Sequence, residues 1–104
     1  MGATTSTLIL SVLEREPAHG YRIVQIIDAR SGGLFEWQEG TIYPALHNLE
    51  KSGLISGGWQ AQPNGRRRRV YSLTAKGKKA LGRQTEEWRI YAKTVTSLLE
   101  GSHV

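Results

Sequence analysis

Residues 39–73 read EGTIYPALHNLEKSGLISGGWQAQPNGRRRRVYSL, and this stretch decides the fold. Its first half carries Ile42, Ala45, Leu46 and Leu49 within an arc of roughly 100° on a helix, so a helix is expected over Thr41 to Ser52. With Thr41 as N-cap, Pro44 falls at the third helical position, where a missing N–H leaves no intrahelical bond unmade. Gly53 then fits the position after the C-cap, and Leu49 and Leu54 form the apolar pair of a Schellman stop. The second half reads as two strands, Leu54–Gln62 and Arg68–Leu73, around the turn Pro63-Asn64-Gly65, whose Asn-Gly suits positive φ. Ile55 and Trp59 share one face of the first strand, and Tyr71 and Leu73 one face of the second. The turn opens directly into Arg66, Arg67, Arg68 and Arg69. A helix beside an arginine-tipped hairpin is the layout for gripping a polyanion.

Outward from this stretch the chain is helical on both sides. Leu8, Ile9, Val12 and Leu13 recur at i, i+1, i+4, i+5, which is one helical face. Thr4, Thr5 or Ser6 can cap that first helix, and Pro17 ends it, because the residue before a proline is pushed from the α region. A second helix is expected from Gly20 to Ala29, with Ile23, Val24, Ile26 and Ile27 turned to a core and Gly32-Gly33 releasing the chain.

The last helix is expected from Ala75 to Glu100, capped by Thr74. At 1.5 Å per residue it would run roughly 39 Å, too long for one small domain to cover. Leu81, Gln84, Trp88, Tyr91, Val95 and Leu98 follow each other at steps of 3, 4, 3, 4 and 3. That 3.5-residue repeat, with one polar member, is a seam that takes a partner helix. Two parts are therefore expected in one structural unit: residues 1–74, and a C-terminal dimerisation helix at 75–104.

Composition narrows the function. The 104 residues make one domain and carry a net charge of +5. Arg66 to Arg83 holds eight Lys/Arg and no Asp or Glu, a focused positive field that attracts polyanions. With no cysteine there is no disulfide framework, zinc–thiolate site or Cys nucleophile. His19, His47 and His103 lack metal-ligand spacing. No apolar run approaches the roughly 18 residues of a membrane span, and Leu8–Leu13 has no basic stretch before it to make a signal peptide. The start Met1-Gly2-Ala3-Thr4-Thr5-Ser6 matches a myristoylation pattern in form only, because folded core follows from Leu8. No nucleophile with a base, paired carboxylates, metal cluster or phosphate loop points to an enzyme. A cytoplasmic protein without a catalytic centre, cofactor or metal is expected.

Three helices followed by a two-stranded wing is the winged helix-turn-helix pattern, in a mainly α chain with one small hairpin. In such folds the third helix enters the major groove and the wing follows the backbone. Opposite the apolar stripe of that helix lie Pro44, His47, Asn48 and Lys51, flanked by Thr41 and Tyr43. Thr41, Tyr43, His47 and Asn48 offer hydrogen bonds to base edges or phosphates, and Lys51 a charge to phosphate. Arg66–Arg69 extend this surface. Lys76, Lys78 and Lys79 stand in the first turns of the last helix, where the macrodipole is already positive and an anion would be welcome.

The runs HGYRIVQIIDARSGGLFEWQEGTIYPALHNLEKSGLI (19–55), GRRRRVYSLTAKGKKAL (65–81) and EEWRIYAK (86–93) resemble the PadR family of bacterial transcriptional regulators. The most specific parts are His19-Gly20-Tyr21, Gly40 to Leu46, Leu49-Glu50 with Gly53-Leu54-Ile55, and Tyr71 to Gly77. The single C-terminal helix resembles the family's short subgroup. The resemblance implies a homodimeric repressor on a pseudo-palindromic duplex DNA operator. It also implies a dimer interface of the first and last helices, through Leu8, Val12, Leu81, Trp88, Tyr91, Val95 and Leu98. Thr41, Tyr43 and the exposed part of the third helix match positions that approach DNA, and Arg66–Arg69 match the wing. The family often has arginine where this chain has Asn48. Family members answer to small molecules, including flat aromatic ones held between the last helices, which marks Trp88 and Tyr91 as candidate effector-binding residues.

Overall fold

The structure, a computed structural model, describes residues 5–35, 37 and 39–101. Thr4 as a possible cap and His103 lie outside them. The elements are α1 (Thr5–Arg15), α2 (Gly20–Ser31), α3 (Glu39–Lys51), β1 (Ile55–Ala61), β2 (Arg67–Leu73) and α4 (Ala75–Leu99). The order is the expected one: mainly helical, with one antiparallel hairpin and a long last helix.

The core is small and aliphatic. Ile9, Leu10, Ile23, Ile42, Leu46 and Ile55 are the largest fully enclosed side chains. α1 is its hub, touching α2, α3, β2 and α4. This explains why Leu10, off the expected stripe, is as buried as Ile9: a helix packed on several sides needs apolar residues on more than one face. Val12 and Leu81 are each only 4% exposed and belong to this core. Both were expected at the dimer interface; in the single copy they are enclosed by the protomer's own side chains. Leu8 is only partly buried.

α2 and α3 both stop as Schellman motifs. After α3, the Gly53 N–H bonds the Glu50 carbonyl and the Leu54 N–H the Leu49 carbonyl, each at 3.0 Å. Gly53 sits at φ 78, a left-handed position that costs residues with a Cβ. After α2, Gly33 and Gly32 bond Asp28 and Ala29 in the same way, so that helix runs two residues past the expected Ala29. The start of α3 differs more. The helix begins at Glu39, two residues before the expected cap, so Thr41 is its third residue and Pro44 lies inside it. The proline leaves the Gly40 carbonyl without an intrahelical donor, but both residues are exposed, so water can take that carbonyl.

In the hairpin, Ile55 pairs with Leu73, Gly57 with Tyr71, Trp59 with Arg69 and Ala61 with Arg67. The turn closes with Gly65 N–H on the Gln62 carbonyl (3.0 Å) and Gln62 N–H on the Arg66 carbonyl (2.8 Å). Only Gly65 takes positive φ; Asn64 instead accepts the Arg66 N–H at its Oδ1, 3.0 Å away. Ala18 and Tyr71 exchange both backbone bonds, at 3.0 and 2.9 Å, on the other edge of β2. This bridge ties the hairpin base to the segment between α1 and α2.

α4 starts on Thr74, whose hydroxyl accepts the Gly77 N–H (3.0 Å) and donates to the Gly53 carbonyl (2.7 Å). Its first turns reach the core through Gly77, Ala80 and Leu81. Farther out, Thr7 donates to Gln84 at 2.6 Å. Beyond that α4 leaves the domain, and the molecule measures 62 × 29 × 22 Å.

Candidate nucleic-acid interface

α3 divides cleanly. Ile42, Leu46 and Leu49 are buried, while Thr41, Tyr43, Pro44, His47, Asn48 and Lys51 are all exposed. All six expected contact residues thus stand on the solvent side of one helix, with hydroxyl, imidazole, amide and ammonium groups together. Tyr43 is 46% exposed. Its ring lies over the start of α2, where a Cβ at Gly20 would come within 3.0 Å of it. Tyr43 is therefore a partly packed, oriented phenol.

The four arginines do not form one patch. Strand alternation sends Arg67 and Arg69 to the face that carries Trp59 and Tyr71, and Arg68 to the opposite face with Val70. Arg66, beside the turn, and Arg67 are exposed; Arg68 and Arg69 are half-buried. Arg69 pairs with the Glu50 carboxylate of α3. Its guanidinium also lies 5.5 Å from the Trp59 ring and 5.9 Å from the Tyr71 ring, within cation–π reach. Lys76 is exposed but has a partner. Its Nζ donates to the Ser52 carbonyl at 2.9 Å, placing a cation at the negative end of α3.

Three residues outside the expected set shape this surface. Trp59 is 59% exposed and has the Arg67 and Arg69 guanidinium carbons each 5.5 Å from its ring centre. Glu50 ties α3 to the hairpin. His19 caps α2, accepting the Arg22 N–H at Nδ1 (3.3 Å). Partial burial, then the charges of Arg68 and Arg22, push its pKa below the ordinary 6.5, which favours the neutral ring whose Nδ1 can accept. The Tyr71 phenol is pushed above its ordinary 10.0, chiefly by burial. Trp59 and Glu50 could be found only by fixing the strand register and the packing of the hairpin on α3.

On α4, Trp88 and Tyr91 are exposed, their rings 5.6 Å apart and tilted by 32°. Val95 is half-buried and Leu98 is 72% exposed. A shallow depression of about 400 Å³ is lined by Glu87, Ile90, Tyr91 and Thr94, with Trp88 outside it. A groove of about 310 Å³ between α1 and α2 includes Leu8, Leu34 and Phe35. Among the described residues no cluster of His, Asp or Glu could hold a metal, and no helix is long and apolar enough to cross a membrane.

The family described as transcriptional regulator PadR-like matches residues 9–83. Transcriptional regulator Rv3488 of Mycobacterium tuberculosis is 36% identical over 83 residues, which are 80% of this chain and 61% of that protein. A PadR family transcription regulator from Clostridium difficile R20291 has a similar structure, with TM-score 0.78 and 36% identity over 90% of this chain and 96% of that one. A transcriptional regulator from Clostridium thermocellum gives TM-score 0.82 and 31% identity over 89% and 90%. Sequence match, hairpin and helix order agree over most of the length, so the chain belongs to the PadR family of winged-helix transcriptional regulators, which are not enzymes.

Proposed function

We propose that this regulator works as a cytoplasmic homodimeric repressor, docking α3 into the major groove of a pseudo-palindromic operator and laying the hairpin along the phosphate backbone. The observation that carries this reading is the exposed polar side of α3, tied through Glu50 to a hairpin that carries the exposed Arg66 and Arg67. The helix supplies groups that read base edges, and the arginines supply charge that releases counterions. The second copy is supported by the apolar side chains that α4 leaves in water, Trp88, Ile90, Tyr91, Leu98 and Leu99. Residues 1–74 form the DNA-binding part and residues 75–104 the dimerisation helix.

Selection of bound duplexes from a random pool tests this directly. Two inverted half-sites about one helical turn apart are expected, and a single unpaired site would sink the dimer docking. Arg66→Ala and Arg67→Ala are each expected to weaken binding to all sequences and to lower the salt slope by about 0.9. Tyr43→Ala and His47→Ala are expected to change sequence preference instead. A reporter gene behind the selected site should fall silent when the regulator is present, and a rise in expression would rule out repression.

The exposed Trp88–Tyr91 pair favours a second duty, capture of a planar aromatic effector that releases the DNA. In a Trp37→Phe, Trp59→Phe background, Trp88 emission should be quenched by such compounds. Unchanged emission across a panel of them would remove this reading.

A further inference from the structure

We propose that Glu50 and Arg69 form a positioning latch between α3 and the hairpin, so that Arg69 serves DNA binding by holding the wing in place and not by gripping phosphate. The inference rests on the DNA-binding reading above.

A two-stranded hairpin is marginally stable alone, and this one is held to the core at its base, by Ile55, Tyr71, Leu73 and the Ala18 bridge. Past Gly57 every residue of β1 is exposed. A further tie comes from α3. One Glu50 oxygen, Oε2, accepts both the Gly57 N–H (3.1 Å) and an Arg69 guanidinium N–H. Both strands are therefore fastened to one carboxylate on the helix.

Three further features build the latch. A Cβ at position 57 would overlap the Arg69 guanidinium, so glycine opens the path across the sheet. Trp59 and Tyr71 lie within cation–π distance of that guanidinium and define its place on the sheet face. Glu50 lies between Leu49, in the core, and Lys51, on the exposed face. A shift of the hairpin against Glu50 thus changes where Arg66 and Arg67 stand relative to His47, Asn48 and Lys51. Arg69, committed to the carboxylate and two rings, is not poised as a free phosphate ligand.

Glu50→Gln decides between the two roles, because they give opposite signs. The amide oxygen can still accept the Gly57 N–H, but the ion pair is lost. For a latch, Glu50→Gln weakens operator binding by about three- to tenfold, a usual coupling for groups in one network, with the salt slope unchanged. Arg69→Gln loses a similar amount at an unchanged slope, the double variant loses no more than either single one, and Arg69→Lys recovers part of the loss. For a phosphate contact, Glu50→Gln frees Arg69 and removes a negative charge, so binding stays equal or tightens, while Arg69→Gln lowers the salt slope by about 0.9. That result overturns the latch. Affinities are compared where circular dichroism is that of the wild type; if Arg69→Gln does not fold, Glu50→Gln and Arg69→Lys carry the comparison. Wild-type protein that retains no duplex from the random pool would overturn the DNA-binding reading as well, whereas wild-type binding with an unweakened Glu50→Gln overturns the latch alone.

Discussion

His19 joins a cap and a proton site in one ring. Its Nδ1 must be unprotonated to accept the Arg22 N–H, and its folded pKa lies below the 6.5 of the free side chain. The unfolded chain therefore takes up this proton first as pH falls. The stabilisation is complete above pH 6.5 and is lost as pH drops through the folded pKa. Wild type is expected to melt at steadily lower temperature below pH 6.5, and His19→Asn, which keeps a cap acceptor without a titrating ring, should show a shallower acid slope. Gly77 sets a steric limit. A Cβ there would overlap the Leu54 carbonyl oxygen, and backbone cannot swing aside as a side-chain tip can. Gly77→Ala should lose about 1–3 kcal/mol by urea unfolding, the range for overpacked sites. A stability unchanged from wild type would mean that α4 can shift away from Leu54.

Among the elements, the junction of α3 and α4 is held by a small set of hydrogen bonds. Thr74 caps α4 and also donates to the Gly53 carbonyl at the end of α3, while Lys76 covers the Ser52 carbonyl. Thr74→Ala removes both hydroxyl bonds and should cost about 1 kcal/mol, read as a drop in melting temperature of about 4–8 °C; Thr74→Ser should retain most of it. The α3 stop was legible in the sequence because Leu49, Gly53 and Leu54 act within six residues of one another. The α3 start was not. Thr41 was expected as the cap, yet the helix starts two residues earlier, at Glu39. The arginine run was legible as charge but not as function. Register divides it between two sheet faces and gives Arg69 to Glu50, and both facts depend on partners far away in the chain.

For the whole molecule, the outer half of α4 lacks tertiary cover. A helix with no tertiary cover gains little from propensity alone, and here Trp88, Ile90, Tyr91, Leu98 and Leu99 face solvent in a single copy. A second copy would supply that cover for Trp88, Tyr91 and Leu98, and the seam from Trp88 to Leu98 is the surface we propose for it. Val95→Asp with Leu98→Asp should shift sedimentation from dimer to monomer while leaving the melting of the winged-helix part in place. Affinity for a two-half-site operator should then fall at least tenfold, because the two docking events are no longer linked. A double variant that remains dimeric would move the interface elsewhere, with the groove at Leu8, Leu34 and Phe35 the next surface to probe.

Local chemistry made much of this protein readable in one dimension. Helical spacing, the glycine stops, the Pro-Asn-Gly turn and the clustered cations each act over a few residues, so their order along the chain specified three helices, a wing, a long helix and a polyanion-binding character. Tertiary structure decided what needs distant residues to meet. It enclosed Val12 and Leu81 in the protomer's own core, bridged Ala18 to Tyr71, turned Lys76 back onto α3 and locked Arg69 to Glu50 beneath Trp59. The physical reason is reach: spacing along one element sets which face a side chain takes, but only the packing of elements sets what that face meets.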